Sequence, residues 1–347
     1  MTHQPPAPPR PGRLDPDELI ASGRLAEAVD GLTELRTDDD PVLDIRLRDL
    51  RARAAASWDA PCGLAAWPPV HPDPFPHVVG RLPEVDLGNL TAEILGGAVA
   101  HHGALVVRGV LDREDTHRHV AMIDRIHARR GPTGVPPTSD DPAVEALFRP
   151  LRAGQKAHDP VLRRLIFDQG GTWLGDSPLA TAVILRELTS AGITGIVAAH
   201  LGERPFFSLQ KSTLRRTMPV YDLVSWHQDG AFLGPAVRTM NVWVALSACG
   251  GDRPTPALEV FPQSFDHILP AEGGLVPNAV PDDVISELSH EMPTVVPEFA
   301  PGDAVLFDER FLHRTYLTES MTDIRYALEC WFFAPSHQSP AYTPLLA

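Results

Sequence analysis

The stretch LVSWHQDG, residues 223–230, decides how this chain reads, together with three later segments: TMNVWVALSA (239–248), FLHRTYL (311–317) and IRYALECWFF (324–333). An apolar strand start (LVSW) runs into His227, Gln228 and Asp229, and a turn follows at Gly230 and Gly234-Pro235. Side chains alternate along a strand, so His227 and Asp229 are predicted to face one side, where they can share an ion. A third ligand must then come from a distant strand that folds back beside the first. His313, inside FLHRTYL, meets that need. Two imidazoles and one carboxylate on one face of a metal leave the opposite face open, the donor set of non-haem Fe(II) oxygenases.

Taken alone the pattern is weak, since 15 His and 45 acids in 347 residues give about two His-x-acid matches by chance. The chain has two. The other, His71-Pro72-Asp73, sits in a proline-rich run with no strand around it, and context discards it. Arg325 strengthens the first match. It opens IRYALECWFF across a polar turn from His313, and an antiparallel hairpin would return it close to the metal. There a guanidinium fork can grip a carboxylate at two points. Thr315, two residues past His313, shares its face and can donate a hydroxyl to the same anion.

Outward from these segments, residues 206–333 divide into short apolar strands separated by Gly, Pro and Asp turns: FFSLQKSTLRR, LVSWHQD, TMNVWVALSA, ALEVFPQ, PTVVPEF, DAVLFD, FLHRTYL and IRYALECWFF. Eight such segments at even spacing predict a jelly roll or barrel rather than alternating βαβ units. Upstream, helices are expected near 90–103, 112–130 and 177–202, with a strand at ALVVRGVL (104–111). The expected organisation is a disordered Pro-rich tail (1–16), a helical appendage (17–58) able to dock or dimerise, a Pro-rich linker (59–86) and one catalytic domain (87–347). The pairs His101-His102 and His117/His119, and the run Arg125, Arg129, Arg130, read as solvated helix faces. Cys249 and Cys330 read as buried apolar groups.

Composition excludes several classes of function. Thirty basic against 45 acidic residues give a net charge of −15, which repels phosphate backbones and anionic lipid, so neither nucleic acid nor a membrane is an expected partner. No apolar run reaches the length of a membrane span, and the start MTHQPPAPPRPG carries no signal region. Three scattered cysteines form neither a disulfide framework nor a zinc motif, which fits a reducing, cytoplasmic setting. Lysine occurs only at Lys156 and Lys211 beside abundant Arg, Ala and 36 Pro, a bias of GC-rich bacterial genomes.

Taken together, WHQDG, MNVWVALSA, APGDAVLFDERFLHRT and RYALECWFF resemble the phytanoyl-CoA dioxygenase family over about residues 205–335, with weaker support from about 85. The resemblance implies a mainly β fold with flanking helices, whose core is a double-stranded β-helix (a cupin-like jelly roll). It implies an oxygenase that uses Fe(II), 2-oxoglutarate and O2 to oxidise a small organic substrate, releasing succinate and CO2. His227, Asp229 and His313 would be the iron ligands, and Arg325 with Thr315 would hold the far carboxylate of 2-oxoglutarate. Trp243 matches a position that lines the cosubstrate pocket. Gln210 or Lys211 matches a further contact, and strand alternation lets only one of them face inward. Related halogenases have a small residue at the acidic ligand, so Asp229 points to hydroxylation, desaturation or rearrangement. One segment departs from the family: ALEVFPQSFDH reads FPQSF with His267 afterwards, where relatives have a Gly-rich run and a PGSH-like turn. Two competing readings are a cupin-like metalloenzyme without 2-oxoglutarate, for which Arg325 has no purpose, and a non-catalytic jelly-roll binding module.

Overall fold

Short polar residues followed by proline start many of the helices. In α1 (Pro16–Ala21), α3 (Pro41–Ala56), α6 (Pro142–Leu147) and α8 (Pro178–Ser190), the side chains of Asp15, Asp40, Asp141 and Ser177 accept a backbone N–H from the first turn, and proline occupies that turn. Thr91 and Asp112 cap α4 (Ala92–His102) and α5 (Arg113–Arg130) in the same way. The remaining described helices are α2 (Leu25–Leu35), α7 (Pro160–Asp168), α9 (Ile193–Leu201), α10 (Gly230–Leu233) and α11 (Asp282–Glu291). The strands are β1 (Glu84–Asp86), β2 (Ala104–Arg108), β3 (Gly171–Trp173), β4 (Phe206–Ser208), β5 (Thr213–Thr217), β6 (Thr239–Ala245), β7 (Ala257–Val260), β8 (Ala304–Phe307), β9 (His313–Tyr316), β10 (Arg325–Phe333) and β11 (Pro344–Leu346). This computed structural model describes residues 15–347 except 39, 60–62, 65, 132–137, 152–159, 221–224, 235 and 272–278. The proline tail as far as residue 14, together with Cys62 and Lys156, lies outside the described residues.

A nine-stranded sheet runs in the order β1-β2-β8-β6-β10-β4-β11, and β5 pairs with both β10 and β3. Only β1–β2 is parallel among these pairs. A second, two-stranded sheet of β7 and β9 covers one face. Alternation divides the central strands between two apolar clusters. Val242, Val244, Leu306, Cys330 and Phe332 pack against α4, α8 and α9, whereas Trp243, Val305, Phe307, Trp331 and Phe333 pack toward Leu258, Val260 and Phe311 on the small-sheet side. Because both faces are covered, every residue of β6 and β8 is buried. This is the jelly-roll core expected from the strand pattern, although the flanking helices hold more residues than the strands do.

The N-terminal helices sit on the β4–β11 edge. Leu19, Val29, Leu32, Leu47 and Leu50 cluster with Phe206 and Leu346, and Arg51 donates to the Leu346 carbonyl at 2.6 Å. Buried Arg36 and Asp44 pair at 2.6 Å. The proline-rich run after it lies against the domain as a strap. Trp67 meets His200 edge-on at 5.2 Å, Asp73 pairs with His102 at 2.9 Å, and Val78 and Leu82 are buried. Close approach explains Gly97 on α4: a Cβ there would lie 2.5 Å from the Pro72 carbonyl.

Several local expectations change. His102, His119 and Arg130 are buried rather than solvated; His119 bonds Glu187 at 2.5 Å, and Arg130 lies over the Phe167 ring. These long side chains sit on the inward face of α4 and α5, where their polar ends find partners that periodicity does not register. PTVVPEF forms isolated bridges (Val260↔Val295, Cys249↔Phe299) instead of a strand, and a helix, α11, precedes it between the strand segments. Among the described residues no single helix is long and apolar enough to cross a membrane.

Candidate metal centre

His227 and His313 face each other in a one-residue antiparallel bridge, each backbone N–H donating to the other's carbonyl at 3.1 Å. Their rings lie 4.5 Å apart, centroid to centroid. The same device orients both. His227 Nδ1 lies 3.0 Å from the Ser225 carbonyl, and His313 Nδ1 lies 3.0 Å from the Phe311 carbonyl. A carbonyl only accepts, so each Nδ1 carries the hydrogen and each Nε2 keeps its lone pair free for a metal. Phe307 and Phe311 pack on the His313 ring at 5.0 and 5.9 Å.

The expected reason for Asp229 joining them is corrected. The chain is not a strand through 227–229: after the single bridge at His227 it turns, and Asp229 (φ −61°, ψ −26°) heads the short helix α10. Helix entry rather than strand alternation brings its carboxylate round, with Oδ2 3.8 Å from His313 Nε2. One ligand atom from each of the three side chains lies within 4.8 Å of the others. Among the described residues no other group of three His, Cys, Asp or Glu does this. Asp229 is 3 % exposed. Burial raises its pKa, but Lys211, His313 and His227 outweigh burial and hold it below the ordinary value. Burial above all, with the neighbouring His227 acting in the same direction, pushes His313 down to about 4. Near neutral pH the pocket therefore offers an ionised carboxylate beside an unprotonated imidazole.

Gln228, the residue between the two ligands, was not singled out from the sequence. It is 1 % exposed and ties two loops together, donating to the carbonyls of His267 (3.2 Å) and Arg310 (2.5 Å) and accepting from Leu269 N–H (2.7 Å). An amide caught between two ligands was the available signal.

Arg325 also arrives by a different route from the one expected. β9 and β10 are not hairpin partners; β9 pairs with β7 in the small sheet, while β10 lies in the large one. Arg325 crosses between the sheets. Its Nη1 donates to the Ala257 carbonyl on β7 at 3.0 Å, and its Nη2 to Thr217 Oγ1 on β5 at 3.1 Å. It is 3 % exposed, its guanidinium stands 5.5 Å over the Trp243 ring, and its buried Nε has no hydrogen-bond partner. Burial lowers its pKa, and among the described residues no carboxylate forms an ion pair with it. Trp243 Nε1 is likewise buried and unpartnered. Thr315 is half-buried on β9, opposite Leu258 and hence one register position from Ala257.

Of the two neighbouring candidates on the β4–β5 turn, Lys211 turns in and Gln210 turns away. Lys211 Nζ is 2.6 Å from Asp229 Oδ1, whereas Gln210 bonds Thr343 through both ends of its amide (2.9 and 2.7 Å).

A sequence profile of the phytanoyl-CoA dioxygenase family matches residues 99–321, nearly two thirds of the chain and including all three candidate ligands. The chain belongs to the phytanoyl-CoA dioxygenase family. It is thereby an iron- and 2-oxoglutarate-dependent oxygenase, an oxidoreductase. Solved structures similar to this family member include EctD from S. alaskensis with 2-oxoglutarate and 5-hydroxyectoine (17 % identity, 68 % of this chain and 73 % of that one, TM-score 0.45). Two others are EvdO2 from Micromonospora carbonacea var. aurantiaca with 2-oxoglutarate (21 %, 67 % and 86 %, 0.41) and SnoK, a non-haem α-ketoglutarate-dependent carbocyclase from nogalamycin biosynthesis (15 %, 72 % and 86 %, 0.45). No curated protein matches the chain.

Proposed function

We propose that His227, Asp229 and His313 hold the Fe(II) and that Arg325, backed by Thr315 and walled by Trp243, holds the far carboxylate of 2-oxoglutarate. The residues present fit both groups. Each imidazole has its Nδ1 committed to a carbonyl and its Nε2 free, and the carboxylate is ionised. The observation that carries the reading is Arg325, a buried cation with no acid beside it and an orphaned Nε. Such a charge is costly to bury unless an anion joins it. A cupin-like enzyme without a carboxylate cosubstrate has no use for that arrangement.

When bound, iron and 2-oxoglutarate supply O2 activation and the oxidising equivalents, with succinate and CO2 as products. The chain's own part is to fix two imidazoles and one carboxylate on one side, to counter the cosubstrate's charge with Arg325, and to keep water out. Phe307, Phe311 and Trp331 form that dry wall. The substrate is a small organic molecule, read as a bacterial natural product or small metabolite, and hydroxylation is the preferred outcome because Asp229 keeps a halide off the metal. Gln228 ties the departing FPQSF–His267 segment to the metal motif, which makes that segment the substrate-facing side. A reducing, cytoplasmic setting fits Cys249 and Cys330, both free and buried. Self-association through α1–α3 stays open to Leu35 and Val42, which are exposed, while Leu19, Val29, Leu32, Leu47 and Leu50 are buried against the rest of the chain.

The test is succinate formation by purified protein with Fe(II), 2-oxoglutarate and ascorbate. Wild type makes succinate, while His313→Ala and Arg325→Ala do not. A silent wild type that also shows no visible charge-transfer band with Fe(II) and 2-oxoglutarate under anaerobic conditions overturns the reading.

A further inference from the structure

The two oxygens of Asp229 are not equivalent. Oδ1 is 2.6 Å from Lys211 Nζ, while Oδ2 turns toward His313 Nε2 at 3.8 Å. Lys211 is itself held in place. Its ammonium lies 4.4 Å over the Phe232 ring of α10 and 4.9 Å over the Trp331 ring of β10, and its side chain is only 15 % exposed. Asp229, Phe232 and Trp331 thus fix the charge from three directions, two of them from the helix that carries Asp229. An aromatic cradle of this kind favours a cation in a fixed position.

A free carboxylate can grip a metal with both oxygens and take two coordination positions. With one oxygen held by an ammonium, it offers a single donor. We propose that Lys211 is a positioning residue: by holding Oδ1 it presents Oδ2 alone to the metal and so keeps coordination positions open for cosubstrate and O2. This rests on the reading of His227, Asp229 and His313 as the metal ligands. It assigns Lys211 to the metal's own carboxylate, whereas the family resemblance had placed it against 2-oxoglutarate. The site then has two cations with separate duties, Lys211 on the metal side and Arg325 at the far end.

The experiment is an anaerobic titration of the metal-free protein with Co(II) alone, read by its visible d–d absorption and by the rise in melting temperature, for wild type, Lys211→Met and Lys211→Arg. Circular dichroism of each metal-free protein confirms folding. Without the ammonium, repulsion of the divalent ion disappears and the second carboxylate oxygen is released. Lys211→Met is therefore expected to bind Co(II) about tenfold more tightly, the opposite sign to the roughly 10–100-fold loss that removing a supporting outer-shell partner brings, with an altered d–d spectrum. A second anaerobic titration, of the Co(II)-loaded proteins with 2-oxoglutarate, is expected to show weaker binding by Lys211→Met. Lys211→Arg, which keeps a donor for Oδ1, retains the wild-type spectrum. Unchanged or weaker Co(II) binding by Lys211→Met overturns the proposal. If only 2-oxoglutarate affinity falls, Lys211 is a cosubstrate contact instead. A wild type that binds no Co(II) removes the metal-centre reading itself.

Discussion

Replacing Arg325 by Met separates a ligand-binding arginine from a structural one, because the two roles predict opposite effects on the protein without ligand. In the structure the guanidinium is fully buried, donates to two neutral oxygens, leaves Nε unbonded and has no acid in contact. Removing it forfeits two hydrogen bonds, about 1–1.5 kcal/mol each. Against that stands the cost of burying an uncompensated ion, several kcal/mol in a relaxed protein. The two nearly cancel, so Arg325→Met is expected to melt at the wild-type temperature or slightly above it. Binding behaves differently. Losing one side of a buried charge-to-charge hydrogen bond costs about 2–5 kcal/mol, and 3 kcal/mol corresponds to roughly a hundredfold loss of affinity. At a 2-oxoglutarate concentration one hundred times the wild-type Kd, wild type gains about 2.7 kcal/mol of stability and the variant about 0.4 kcal/mol. Differential scanning fluorimetry with Fe(II) and 2-oxoglutarate under anaerobic conditions therefore shows a shift of several degrees for wild type and almost none for the variant. The reasoning is refuted if the variant keeps the wild-type ligand shift. It is equally refuted if the variant unfolds several degrees lower without ligand while its affinity is unchanged, because Arg325 would then be a staple between the two sheets.

Other consequences follow from the same structure. His313→Ala removes one of three converging ligand atoms, so the thermal stabilisation by Fe(II) or Co(II) disappears while the fold persists. His200 is buried without a partner on either ring nitrogen, and burial pushes it down to about 4. Its unfolded form takes up a proton near pH 6.5, so stability is retained above that pH and lost as pH falls toward 4, at up to about 3 kcal/mol for the full shift. Urea unfolding of His200→Phe between pH 7 and 4.5 is expected to show a pH slope shallower by up to one proton; an unchanged slope refutes the assignment. Gly103→Ala strains a positive φ (+82°) and brings a Cβ to 2.3 Å from the Gln263 carbonyl, so urea unfolding should show a loss of about 2–4 kcal/mol.

Much of the site was legible before any coordinates. Residue type together with its surrounding strand pattern named His227, Asp229, His313 and Arg325, and the structure brings the first three within reach of one ion. The backbone routes to these residues differ from the expected ones. Strand alternation was to align His227 with Asp229, and a hairpin was to return Arg325; the chain uses a helix start for the one and a crossing between sheets for the other. Of Gln210 and Lys211 only one reaches Asp229, as expected, although a turn rather than an alternating strand carries them. Gln228 escaped notice because a motif written His-x-Asp leaves its middle position blank.

By itself the sequence determined the jelly-roll class, a candidate donor set of two histidines and one aspartate, and one arginine placed to meet an anion. Those follow from local pattern and residue chemistry, which hold whatever the partner strands turn out to be. Only the tertiary structure decided which Asp229 oxygen meets Lys211 and which turns to His313, which of two adjacent polar residues reaches Asp229, and that Arg130 is buried rather than solvated. Each of these depends on groups far apart in the chain that meet only when the two sheets and their helices close over one another. No pattern within a short window carries that information.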